Sequence, residues 1–238
     1  MNEIKTRVND ADDRRTHRRL LEAAGEVFAA KGYRATTVRE ICRRAGANVA
    51  AINYHFGDKE GLYAEVLRYA HACAMERHPP EMHTTAASSP EDRLRAFIVS
   101  FLHRLFDQGR PAWHARLMIR EMVEPTGALG RLVKQSLHPR REQLTQIIRA
   151  IIGDHRADDR LLRHCVMSVV GQCLSFYHGR PMLERLYPEQ KFDAAGLAER
   201  ADYIYRFTLA ALRGIGTVET SKKARLPLKR QARSEVRA

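Results

Sequence analysis

Apolar residues recur every three or four positions along this chain, and no segment sustains an alternation of period two. That spacing is the mark of amphipathic helices rather than strands. From Arg14 to Lys31 the stripe is Leu20, Ala24, Val27 and Phe28, and it ends at Gly32. The run "TTVREICRRAG" opens with Thr37 and Glu40 at capping-box spacing and closes on Gly46, a glycine suited to a left-handed helix stop. Asn48 can cap a third helix reaching Phe56. Asp58 can cap a fourth, on which Leu62, Val66, Tyr69 and Cys73 share a face. After the loop "RHPPEMHTTAASSP", Ser89, Pro90 and Asp92 start a helix with the stripe Leu94, Phe97, Ile98, Phe101, Leu102 and Leu105. Further helices are predicted at 112–123, 128–152, 158–179 and 193–213, with Pro139 interrupting or kinking the second of these. The chain therefore reads as all-α, with about nine helices.

Composition narrows the class. At 238 residues there is enough chain for one large core or two modest ones. Lys and Arg outnumber Asp and Glu by 41 to 28, a formal charge of +13 that favours polyanionic partners. Nearly half of that surplus lies from Arg213 onward, in eight basic and two acidic residues with few apolar ones. Residues 214–238 are thus expected to be a disordered basic tail, and residues 1–13 a disordered arm. The start of the chain is too polar for a signal peptide, and no apolar run approaches a membrane span. Four scattered cysteines without a CxxC pair fit reduced thiols in the cytoplasm.

The residues Ala47 to Phe56, "ANVAAINYHF", carry no Lys, Arg, Asp or Glu in an otherwise charge-rich chain. Three short helices with a glycine between the second and third outline a helix-turn-helix, whose second element enters the DNA major groove. Val38, Ile41, Ala45, Ile52 and Phe56 would pack the motif together. The polar residues of the third helix then face outward. Carboxylates there would repel phosphates; neutral Asn, His and Tyr can meet base edges and backbone. Arg39, Arg43, Arg44 and Lys59 flank the helix where phosphate charge would lie.

The stretch "TTVREICRRAGANVAAINYHFGDKEGLY" resembles the signature of TetR-family transcriptional regulators, over about 50 residues from Arg14 to Tyr63. More loosely, "INYHFGDKEGLY" followed by "REMVEP" and "GQC" is similar to the CecR-like branch. The resemblance implies a helix-turn-helix DNA-binding domain at 14–60 and a ligand-binding and dimerisation domain at 61–213. It implies that Arg39, Val49, Ala50, Ala51, Tyr54 and His55 lie near DNA, with Asn48 at the head of their helix. It implies that Thr37, Asn53 and Lys59 lie on phosphates. Asn53 stands where the family commonly has a phosphate-binding Tyr, so that contact passes to Tyr54 or stays with Asn53. His55 has a second reading, packing beneath the motif.

In the remaining half, "CVMSVVGQCLSFY" (residues 165–177) has no charged residue, so both faces of its helix are expected to be covered. Cys165, Ser168, Val169, Gln172, Cys173 and Phe176, with Ala201, Ile204, Tyr205 and Thr208 on the last helix, form the expected homodimer interface. The alternative is the central helix of a monomeric bundle. The resemblance implies a pocket for an apolar or amphipathic small-molecule effector. Phe97, Phe101, Leu105, Trp113, Leu117 and Met118 are candidates to line it, with His103 and Glu121 as polar handles. For each of these, core packing or a solvated charge competes with ligand contact. No metal-ligand spacing and no catalytic signature occurs, so neither a cofactor nor an enzyme is expected. The function predicted is a homodimeric repressor that binds a palindromic DNA operator and is released by an effector. The rival is a nonspecific nucleic-acid binder driven by the basic tail.

Overall fold

The structure, a computed structural model, describes residues 2–85, 87–107, 113–153 and 157–217, with backbone alone at 2–11, 216 and 217. The described residues contain helices and no strands. In order these are α1 (Asn2–Ala35), α2 (Val38–Ala45), α3 (Val49–Phe56), α4 (Lys59–Arg77), α5 (Pro90–Phe106) and α6 (His114–Val123). They are followed by α7 (Ala128–Leu132), a π-helical turn (Val133–Leu137), α8 (His138–Ile152), α9 (Asp159–Leu186) and α10 (Ala194–Thr217).

Several elements differ from the sequence reading; α9 runs to Leu186 through Pro181 and α10 to Thr217, past their expected ends at 179 and 213. Helix α1 begins at Asn2 and so runs through the segment expected to be a disordered arm. That segment contains neither Gly nor Pro and mixes both charge signs, which an exposed helix tolerates. The helix expected at 128–152 is divided into α7, the π turn and α8. Pro139 sits in the first turn of α8, where its missing N–H costs nothing, and the backbone widens just before it. Of the expected basic tail at 214–238, residues 218–238 lie outside the described residues.

The apolar stripes sort into two cores. The first joins Leu20, Ala24 and Phe28 of α1 to Ile41, Ile52, Leu62 and Leu67, and it also takes in Trp113 and Leu117 beside α6 and Ala128 and Leu132 of α7. The second joins Leu94 and Ile98 of α5 to Leu144 and Ile148 of α8, Cys165 and Val169 of α9, and Ile204 and Leu212 of α10. Helix α4 belongs to the first core through Leu62, Tyr63, Val66, Leu67 and Ala70. Its far end is tied to α5, because the His78 carbonyl accepts hydrogen bonds from Ser100 Oγ at 2.6 Å and Arg104 Nη1 at 2.7 Å.

A second tie runs from α4 to α6. The Tyr63 hydroxyl donates to Glu121 Oε2 at 2.8 Å, and both groups are buried. The other carboxyl oxygen accepts from the Thr126 amide and hydroxyl, each at 2.9 Å. Burial and the adjacent carboxyl raise the Tyr63 pKa far above the ordinary phenol range, so the hydroxyl remains a donor. On α1, Gly25 leaves room for the Trp113 indole, whose ring atoms lie 2.0–2.4 Å from where a Cβ would stand.

Two stability tests follow from this packing. Tyr63→Phe leaves a buried carboxyl oxygen without its donor and should cost about 1–3 kcal/mol in urea unfolding. Gly25→Ala gains up to about 1 kcal/mol of helix propensity. It also forces a rigid indole aside at about 1–3 kcal/mol, so a net loss of stability is expected in the same measurement.

Candidate nucleic-acid interface

The geometry of α2 and α3 is set by local chemistry. Thr37 caps α2, its side chain accepting from the Glu40 amide at 3.2 Å. The reciprocal half of a capping box is not made; the Glu40 carboxylate pairs with Lys31 instead. Gly46 then adopts a left-handed conformation (φ 60°, ψ 41°) that turns the chain between the two helices. Asn48 caps α3 by accepting from the Ala51 amide at 2.8 Å, and Asp58 caps α4 by accepting from the Gly61 amide at 2.7 Å. Ile41 and Ile52 are fully buried and fix the angle between α2 and α3.

With Ile52 inward, the opposite face of α3 is open. Asn48, Val49, Ala50, Asn53 and Tyr54 are exposed, Tyr54 at 77%, and Ala51 is half-buried. Thr37 and Arg39 are exposed on α2, as are Arg43 and Arg44. Arg44 is paired with Glu26 of α1. Lys59, at the start of α4, is half-buried with Nζ 4.4 Å from the centre of the Tyr33 ring. Burial lowers its pKa from the ordinary lysine value. Among the predicted DNA-facing residues, then, Thr37, Arg39, Asn48, Val49, Ala50, Asn53 and Tyr54 are the exposed ones.

His55 departs from it. Its side chain is only 8% exposed and turns toward α1, with Nε2 3.6 Å from the Asp13 carboxylate. The ring meets His17 edge-on at 5.4 Å, and His17 in turn stacks on Phe56 at 4.8 Å. The second reading of His55, packing beneath the motif, is the one its environment fits. Asp13 and His17 were not among the predicted site residues. The signal was present, since His17 lies one turn ahead of Leu20 and Leu21 on the buried side of α1.

The predicted effector pocket does not form one lining. Phe97 and Leu105 are buried in the second core, with Phe101 packed against it. Trp113 and Leu117 are buried in the first, with Met118 packed against it. Glu121 is held by Tyr63 and Thr126, and the His103 ring stacks on His78 at 5.4 Å. Sequence periodicity cannot tell two adjacent cores from one cavity, because both bury the same stripe.

The predicted dimer residues also divide. Cys165, Val169, Cys173, Ala201, Ile204 and Thr208 are buried within the chain's own second core or beside it, and are unavailable to a partner. Burial also pushes the Cys173 thiol up to about 12 and raises that of Cys165, which leaves both thiols protonated. Ser168 is exposed, while Gln172, Phe176 and Tyr205 are half-buried. The apolar side chains open to a partner are others: Met167, Met182 and Leu186 on α9, and Tyr203, Phe207 and Ile215 on α10.

Comparison with known proteins agrees with this architecture. Residues 20–66 match the model of the bacterial regulatory proteins of the tetR family, and residues 90–212 match that of the C-terminal domain of the HTH-type transcriptional dual regulator CecR. The chain is 31% identical over 171 residues to that dual regulator from Shigella flexneri, spanning 68% of this chain and 76% of the relative. It is 26% identical over 224 residues to the HTH-type transcriptional repressor NicS of Pseudomonas putida, spanning 89% and 97%. Among solved structures, AibR in complex with isovaleryl coenzyme A and operator DNA superposes with a TM-score of 0.59 at 18% identity, covering 81% of this chain and 97% of that one. With a capped helix-turn-helix at one end and a matched helical domain behind it, the chain belongs to the TetR family of DNA-binding transcriptional regulators, in its CecR-like branch.

Proposed function

We propose that this regulator represses transcription by binding a palindromic operator as a homodimer and that a small-molecule effector releases it. The observation that carries the reading is the exposed face of α3, free of Lys, Arg, Asp and Glu, with Arg39 and Arg43 exposed on the preceding α2. A face of this kind reads bases with neutral groups and leaves phosphate contact to its margins. In this reading Tyr54 and Asn53 meet the DNA directly, with Val49 and Ala50 close enough to touch thymine methyls. Thr37, Asn53 and Lys59 sit where phosphates would pass, with Asn48 at the head of α3. His55 acts from beneath, bracing α3 against α1. The DNA-binding unit is taken as residues 14–60 and the effector and dimer unit as 61–213.

Dimerisation is assigned to the outward faces of α9 and α10. Met167, Tyr203 and Phe207 are 66%, 54% and 56% exposed, and apolar side chains of that size on neighbouring long helices fit a partner's copy of the same helices. A two-fold axis there would set two α3 helices apart by a whole number of DNA turns, about 34 Å each, so the operator should be a palindrome. Release then requires an effector that favours a differently spaced pair. The AibR complex, which holds both a coenzyme A thioester and operator DNA, is a precedent for one such fold meeting both ligands.

Selection from random-sequence DNA with the purified full chain should enrich an inverted repeat. On that sequence Tyr54→Ala is expected to lose about 1–3 kcal/mol of discrimination. Lys59→Ala should weaken all sequences alike and flatten the salt dependence. Deleting residues 218–238 should leave discrimination intact; selection of no preferred sequence, or loss of all binding with the tail, would contradict the reading. For the dimer, Phe207→Glu should convert the protein to a monomer by light scattering with its helix content unchanged. An unaltered dimer would place the interface elsewhere.

A further inference from the structure

Where α4, α5 and α6 meet, Arg104 of α5 is buried, with His71 of α4 and His114 of α6 half-buried near it. The two imidazole rings lie 6.3 Å apart between centroids and are tilted by 46°. Arg104 is only 6% exposed. Its Nη1 donates to the His78 carbonyl and to Ser100 Oγ. Among the described residues no carboxylate stands within ion-pair distance of it. Both ring nitrogens of His114 are enclosed by protein and make no hydrogen bond. The Arg104 backbone acts on that ring in the sense of a hydrogen-bond acceptor, raising its pKa, but does not meet full hydrogen-bond geometry with it.

Nearby carboxylates act on this cluster only from beyond ion-pair distance, Glu81 on Arg104 and Asp107 on His114. Asp107 is taken by Arg77 and faces His78 at 3.5 Å, and Glu81 lies 3.9 Å from Arg140 and accepts from Gln143. Two carboxylates thus answer two arginines, and Arg104 remains as one uncompensated cation among the described residues. Burial, reinforced by Arg104 and Arg140, depresses His71 to about 4. Burial, with His71 and Arg104, depresses His114 to about 3. Burial lowers Arg104 itself to about 10. Both imidazoles are therefore neutral at pH 7, each with one N–H to donate.

Such an arrangement costs the empty protein stability, because a buried guanidinium lacks a counter-charge and the enclosed His114 nitrogens lack hydrogen-bond partners. The missing group must carry negative charge and accept several hydrogen bonds at once. A metal cation would be repelled by Arg104 and Arg140. A phosphate dianion would bring more charge than the one free cation answers. A carboxylate has the single charge and the lone pairs to meet a guanidinium and an imidazole together. We propose that His71, Arg104 and His114 receive the carboxylate of a monoanionic effector.

This inference rests on the effector-released reading above and names the chemical class of the effector. Its place in the fold supplies the link to DNA. Helices α4 and α6 belong to the first core, and α5 belongs to the second. A ligand that bridges Arg104 to His71 and His114 binds best when α4 is drawn toward α5. Only that difference in affinity can move the helix. Trp113 precedes His114 and is the one tryptophan of the chain, so its fluorescence reports on the site.

The test titrates the full chain with benzoate, hexanoate and phenylacetate, with the matching primary amides, and with inorganic phosphate, following Trp113 fluorescence and Tm. At least one acid should bind tenfold or more tightly than its amide, with phosphate weaker still. His114→Phe and Arg104→Met should each erase that preference, and ligand-free His114→Phe should have a higher Tm because an apolar ring replaces the unpartnered nitrogens. The site is overturned if no acid outbinds its amide, if phosphate binds as well as the acids, or if the preference survives in both variants. Binding of the selected operator is measured on the same samples. Intact discrimination with no acid preference removes the site alone, whereas absent discrimination in the unaltered protein removes the operator reading independently.

Discussion

Helix α4 is the constraint on which the rest of the molecule depends. Its first half completes the core that holds α1, α2 and α3, and its end is pinned to α5 through the His78 carbonyl. Between these points the Tyr63–Glu121 hydrogen bond ties it to α6 inside a buried environment. A buried bond of this kind is costly to break, because the carboxyl left behind has no water to turn to. The helix therefore cannot shift without moving both the recognition helix at one end and the α5–α6 junction at the other. The proposed release by an effector requires a mechanical link of this kind.

The second organising fact is where charge has been withheld. Helix α3 spends its buried side on Ile52 and its exposed side on small or neutral polar residues. Lysine or arginine along that face would bind every sequence through its phosphates, and carboxylates would bind none. In the proposed reading the flanking arginines supply attraction without dictating sequence. Beneath α3, the His17–His55–Phe56 packing and Asp13 hold the helix at its angle from the N-terminal side. Specificity in this reading comes from a few side chains, Tyr54 foremost, presented by a scaffold that leaves them little freedom.

How much of this the sequence carries depends on how local the chemistry is. Thr37, Gly46, Asn48 and Asp58 each act within three residues of themselves, and each cap and turn stands where the sequence predicts it. Ile41 and Ile52 likewise follow from helical spacing. The orientation of His55 depended on Asp13 and His17, about forty residues away in sequence, and no local pattern encodes that contact. The same limit applies to α9. A helix without charge gives no sign of which side meets its own core, and Cys165, Val169 and Cys173 proved to be inside while Met167 is outside. Trp113 looked like a companion to Phe97 and Phe101, but the space left by Gly25 draws it into the other core. The junction of His71, Arg104 and His114 could not be seen at all until three helices were brought together.

The most direct test of the account is to replace Tyr54 with a photoreactive phenylalanine analogue and map its crosslinks on operator DNA obtained by selection. If α3 is the reading helix of a two-fold dimer, crosslinks should fall on bases in the major groove at two positions related by the operator's dyad. Crosslinks absent at this position, while the protein still protects the same DNA, would contradict it.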